Sequence, residues 1–151
     1  MKVIYNSKIA KIFLPNFKAI LLGFVLLCKK AKEFYDEEFF RHEGAHSYQW
    51  QSLCLFGIGI FGMISLLFMN FWILLLSPIT FYLWYVIEWL IRFIGKIIKT
   101  PPVMKFGFKA WWKGLCDLNH ESYRDLSFEK EARATESGIY EPAFLSFCEF
   151  Y

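Results

Sequence analysis

The chain is 151 residues long, room for one domain, and 56% of it is hydrophobic, with 18 Phe, 8 Tyr and 6 Trp. A water-soluble domain of this size cannot bury so much apolar surface, and the aromatic content excludes disorder, so membrane lipids are the first expected partner. Lys and Arg number 17 against 14 Asp and Glu, a formal charge of only +3, and there is no RNP, zinc-finger or basic-helix pattern, so a nucleic-acid partner is not expected.

Residues 8–14 (KIAKIFL) and 17–28 (FKAILLGFVLLC) flank Pro15-Asn16 and read as a β-hairpin bent at Gly23. The run from Phe17 to Cys28 does not read as a secretory signal, being interrupted by Lys18, followed by Lys29-Lys30 and lacking a small-residue cleavage site. Asp36 suits the N-cap of a helix over residues 37–52, with Glu37 and Glu38 in its first turn, where the helix dipole favours carboxylates.

From Gly44 through Ile87, 44 residues pass without an Asp, Glu, Lys or Arg. At ~1.5 Å per residue that is enough to cross a ~30 Å hydrocarbon core twice. Met69-Asn70 is the preferred turn and Ser77-Pro78 the alternative, with Pro78 kinking the second helix if the first is used. Lysines dominate both flanks: Lys2, Lys8, Lys11, Lys18, Lys29, Lys30 and Lys32 before the block, Lys96, Lys99, Lys105, Lys109 and Lys113 after it. The positive-inside rule then puts both flanks on the cytoplasmic side of a multi-pass protein of the cell's inner membrane; a re-entrant hairpin would show the same pattern, and the full crossing is preferred. Tyr82, Trp84, Tyr85, Trp89 and Trp111-Trp112 suit interfacial anchors. Glu88 and Arg92, four residues apart, suit an ion pair at membrane depth. Gly57, Gly59 and Gly62 read as small residues for close helix packing, because no β-α-β unit surrounds them to make a dinucleotide site.

Beyond residue 95, Thr100-Pro101-Pro102 breaks the chain, Trp111–Leu118 reads as a short helix, and Ser127 can cap a longer last helix that Pro142 ends near Tyr140. The four cysteines, Cys28, Cys54, Cys116 and Cys148, are widely spaced and form no C-x-x-C pair, so they read as free thiols. The expected fold is α+β and mainly helical, one membrane-associated domain over residues 1–151: a hairpin (1–35), a helix (36–52), hydrophobic helices (53–94) and a C-terminal helical region (95–151).

Chemistry concentrates in His42-Glu43-Gly44-Ala45-His46. On a helix, positions i and i+4 project from one face a turn apart, so two imidazoles can converge on one Zn²⁺ with the intervening Glu beside it. The plain alternative is a solvated juxtamembrane helix with two incidental histidines. A catalytic zinc usually takes a third protein ligand and keeps one open position. The acidic run Ser127–Glu136 is the richest source, because Glu129, Arg133 and Glu136 share a face while Glu131 points away. Glu129 is the expected ligand, and Glu136 can accept the free N–H of a ligand histidine.

HExxH followed well downstream on a second helix by Glu-x-x-Ala, here Glu129-Lys130-Glu131-Ala132, resembles the gluzincin branch of the zincin metallopeptidases. The wider layout, with Gln49 three residues after the motif, FYLWYVIEWLIR at 81–92 and SYRDLSFEKEA at 122–132, is similar to a group of small bacterial and phage membrane proteins regarded as zinc metallopeptidases. The resemblance implies His42, His46 and Glu129 as ligands and Glu43 as general base. Integral-membrane gluzincins often carry Asp directly after that Ala, where this chain has Arg133, and Glu131 and His120 stay open as third ligands. The expected function is a membrane-bound zinc peptidase acting on a peptide or protein, with Tyr123, Arg124 and Tyr140 as oxyanion donors and the hairpin edge pairing with the substrate. Its rival is a non-catalytic membrane protein whose zinc site is structural.

Overall fold

Asp36 begins the element that organises the rest: its carboxylate accepts the backbone N–H of Phe39 at 2.9 Å and caps helix α2, Glu37–Leu67. In the computed structural model, which describes residues 1–13, 18–100 and 107–151, α2 is one 31-residue helix. The expected boundary at residue 52 is absent because nothing from Leu53 to Leu67 breaks a helix. Gly57, the one motif glycine in tight contact, lets the returning chain close in: a Cβ there would lie 2.5 Å from Thr80 Oγ1 and 3.2 Å from the Ser77 backbone.

Ahead of α2 lies a small mixed sheet. Strands β1 (Lys2–Ile4), β2 (Ala19–Leu22) and β3 (Val25–Cys28) are ordered β1-β3-β2, with β1 parallel and β2 antiparallel to β3. Residues 8–13, expected as a strand, are instead helix α1, Lys8–Phe13. Ser7 Oγ accepts the Ala10 N–H at the helix start and Ala10 is fully buried, so the apolar residues there follow a helical spacing rather than alternation. The hairpin lies wholly inside the second expected strand, and Gly23, expected as a bend, opens its two-residue loop at φ +64° against the Trp50 ring. The expected Pro15-Asn16 turn and Pro101-Pro102 break fall outside the described residues.

The chain turns at Met69-Asn70, as preferred, with Met69 at φ +49°. It returns as a 3-10 segment, Phe71–Ile79, that continues past Pro78 into α3, Thr80–Lys99. Both α2 and the joined Phe71–Lys99 stretch are long and apolar enough to cross a membrane by length and composition. Helix α4, Phe108–Arg124, extends the expected 111–118 in both directions. Helix α5, Ser127–Glu136, stops short of Pro142 because Gly138, at φ +73°, closes it with an N–H to the Thr135 carbonyl. A C-terminal 3-10 turn, Ser146–Phe150, completes the chain.

The core gathers Leu53 of α2, Phe81 of α3, Phe128 of α5 and Phe147 of the C-terminal turn, with Trp50, Tyr85 and Leu145 around it. Phe128 and Phe147 stack with centroids 4.4 Å apart. A second tie fixes the start of α5. Glu88, 1% exposed, accepts Ser127 N at 2.8 Å and Ser127 Oγ at 2.7 Å while pairing with Arg92 at 2.7 Å. Ser127 therefore does not cap the helix with its own hydroxyl; a carboxylate from α3 takes over the free amide. These contacts set α5 alongside the histidine face of α2.

Candidate metal centre

His42 and His46 sit one turn apart on α2 with ring centroids at 4.8 Å. Glu129, in the first turn of α5, reaches both, its Oε2 3.6 Å from His42 Nε2 and its Oε1 3.3 Å from His46 Nε2. One donor atom from each of the three residues lies within 4.8 Å of the other two, forming a group able to hold a metal ion. Donors around a tetrahedral zinc stand roughly 3.3 Å apart, so the Glu129 to His46 spacing already suits such an ion.

The other imidazole nitrogens are occupied, which decides what the Nε2 atoms can do. His42 Nδ1 lies 2.9 Å from Glu136 Oε1, and His46 Nδ1 lies 2.8 Å from Gln49 Oε1. Both partners are acceptor oxygens, so each Nδ1 carries a proton and each Nε2 is the nitrogen turned toward Glu129, the one that would ligate a metal on losing any proton of its own. The amide orientation of Gln49 is fixed independently: its Nε2 donates to the Phe128 carbonyl at 3.0 Å and to Glu131 Oε2 at 2.6 Å. Glu131, fully buried, accepts in turn from Tyr140 at 3.1 Å and from Ser146 Oγ. A donor set with both tautomers fixed fits a zinc ion.

Glu129 also accepts from the Tyr85 phenol at 2.8 Å. Burial alone would raise the Glu129 carboxyl, but the hydrogen bond and charge of His46, with the phenols of Tyr123 and Tyr85, hold it at about 2. The same carboxylate, added to burial, pushes the Tyr123 phenol above its ordinary value. Tyr123 thus stays a proton donor.

The group opens onto a cleft of about 540 Å³, lined among others by Glu43, Phe39, Tyr85 and Tyr123. Lys18 and Ala19, Ile20 and Leu21 of the edge strand β2 form its other wall. At its rim, Arg41 Nε donates to the Glu136 carbonyl at 2.8 Å, joining the ends of α2 and α5.

Of the expected third ligands, Glu129 joins the histidines. Glu131 faces the opposite side of α5 and bonds Gln49, and His120 is exposed on α4. Of the expected oxyanion donors, Tyr123 lines the cleft, whereas Tyr140 bonds Glu131 and Arg124 borders a separate charged surface with Lys96, Asp125 and Arg133. Of the expected interfacial anchors on α3, Tyr85 meets Glu129, Trp89 donates to Asn119, and Tyr82, whose hydroxyl accepts the Gly23 N–H, stays exposed with Trp84. Tyr85 faces inward instead of anchoring at the interface, and its four-residue spacing from Phe81 is the sequence signal for that. Gln49 stood out only in the resemblance, and Glu131 as a rival ligand.

No protein-family model, no curated protein and no solved structure matches this chain.

Proposed function

We propose that the chain is a membrane-anchored zinc peptidase of gluzincin type, with His42, His46 and Glu129 as ligands and Glu43 as general base. The observation that carries this reading is the convergence of two Nε2 atoms and one carboxylate beside an open cleft, with both Nδ1 positions already bonded. When bound, zinc supplies a Lewis acid that polarises a carbonyl and lowers the pKa of water.

The chain's own groups provide the rest. Glu43, beside the histidines, takes a proton from the attacking water and delivers it to the leaving amine. Tyr123 donates its O–H to the oxygen on which charge develops. The outer edge of β2, unpaired to any strand among the described residues, offers main-chain N–H and C=O groups to an extended peptide, which gives affinity with little side-chain preference. The lysine-rich flanks favour the cytoplasmic face of the inner membrane for the cleft.

The rival, a structural zinc, wants a closed four-ligand site. Among the described residues the group has three members and borders the cleft, which favours the open, catalytic form. The test is metal content after purification. About one zinc per chain is expected, lost with His46→Ala and weakened with Glu129→Ala; a chain that takes up no zinc contradicts the reading.

A further inference from the structure

The hydrophobic hairpin is the largest feature that the metal centre does not use, and its dimensions are specific. The two limbs meet the body where Gly57 packs on Thr80 and Ser77 and where Trp50 Nε1 donates to the Pro78 carbonyl at 3.2 Å. On the body side of that level lie the core residues Leu53 and Phe81. Beyond it, α2 runs ten residues to Leu67, about 15 Å, and the nine-residue 3-10 limb is about 18 Å long. Either length is close to half of a ~30 Å hydrocarbon core.

The tip is not built for water. Leu67, Phe68, Met69, Phe71 and Trp72 are 66 to 81% exposed, and no charged residue lies within the hairpin. Three bonds tie Ser65 and Asn70 across the turn: Ser65 Oγ donates to the Asn70 carbonyl at 2.9 Å, Asn70 N to the Ser65 carbonyl at 3.0 Å, and Trp72 N to Asn70 Oδ1 at 3.1 Å. Internal bonds of this kind lower the cost of a turn inside hydrocarbon, whereas a loop emerging on the far side has water for partners. A full crossing measured back ~30 Å from Leu67 would also immerse α2 to about Ser47, carrying the exposed Tyr48 and Gln51 into lipid. The exposed apolar surface continues along α3, where Leu83, Ile87, Leu90, Ile91, Ile94 and Ile98 are exposed while Phe81 and Glu88 are buried in the body.

We propose that the hairpin ends inside the near leaflet, with the outer face of α3 lying in the interface beside it, so that the protein grips one face of the bilayer without crossing it. The site is the apolar tip and α3 stripe, and the occupant is a single lipid leaflet. Metal binding and turnover play no part in this inference, so it and the peptidase reading stand or fall separately.

The test places a thiol at the tip with Met69→Cys in the full chain, reconstituted in phosphatidylcholine and phosphatidylglycerol vesicles, with labelling resolved by mass spectrometry of the tip peptide. A membrane-impermeant maleimide should fail to reach it from either side until detergent is added. A fluorophore on the same thiol should be quenched most by lipids brominated near the chain ends. Met69→Asp gives a second reading and should weaken vesicle association on the order of 100-fold. Labelling from the far side would show a true crossing and overturn the proposal, and labelling from the near side would show a tip outside the bilayer and overturn it equally. Shielding from both maleimide and brominated lipid would mean that protein, such as a second copy, covers the tip. Unchanged vesicle association of Met69→Asp would also contradict it.

Discussion

His46 and Glu131 do not touch, yet Gln49 binds both, accepting from His46 Nδ1 at 2.8 Å and donating to Glu131 Oε2 at 2.6 Å. Glu131 is buried, and among the described residues it reaches the candidate metal centre through that amide. The link holds the His46 ring in the orientation that points Nε2 at Glu129, and it passes part of the carboxylate's charge to the imidazole.

Glu131→Ala should therefore lower zinc affinity by roughly 10- to 100-fold although Glu131 is not a ligand. Gln49→Ala should do the same, and the double variant should lose little more than either alone, because the two act as one chain. Metal titration against a competing chelator measures all three. Fully additive losses would mean that Glu131 and Gln49 act separately.

Glu88 should matter to stability through the other end of α5. Removing it with Glu88→Ala leaves Arg92 and the Ser127 N–H and hydroxyl without their partner in a buried setting, a loss of about 3–5 kcal/mol for a broken buried pair. Thermal unfolding in detergent checks it. A variant as stable as the wild type would show that α5 is held by packing of Phe128 alone.

The depressed Glu129 carboxyl fixes the sign of a pH effect. Its folded value of about 2 lies below the ordinary ~4.3, so in the metal-free chain its contribution is present above the ordinary value and is lost as pH falls through about 2. Above that window Glu129 has no proton for a metal to displace, and between pH 7 and 5 protons compete with zinc at the imidazoles alone. Affinity should fall with pH over that range with a slope smaller by about one in His46→Ala, and in Glu129→Ala the fall should move to lower pH, because the Glu129 carboxylate is what holds the His46 imidazole up against burial. An unshifted profile in Glu129→Ala would contradict the coupling between Glu129 and His46.

Much of this centre was legible before any coordinates, for physical reasons. HExxH fixes its own geometry once a helix is granted, and Asp36 with two following glutamates marks where that helix begins. The facing of Glu129 with Glu136 follows from seven-residue spacing. What stayed hidden depends on contacts between distant segments. Tyr85 reads as an interfacial aromatic until α5 is set against α3, and Glu131 reads as a rival ligand until Gln49 is seen to claim it. Residues 8–13 failed differently: KIAKIF repeats every three residues instead of alternating, a spacing that suits a helix, and Ser7 at its start with the buried Ala10 goes with that choice. β1 gave no signal because three residues are too few to show a period.

The peptidase reading rests on Glu43, which lines the cleft beside the histidines. Gln in its place keeps the shape and removes the base. The decisive measurement compares wild type and Glu43→Gln, each loaded with one zinc, for cleavage of a peptide library presented with membrane vesicles, alongside self-cleavage of the chain. The expected result is equal metal content and a loss of turnover of roughly 100-fold or more in the variant. Equal cleavage by both zinc-loaded proteins, or none by either across the library, would contradict a catalytic site and leave zinc as the fastening between α2 and α5.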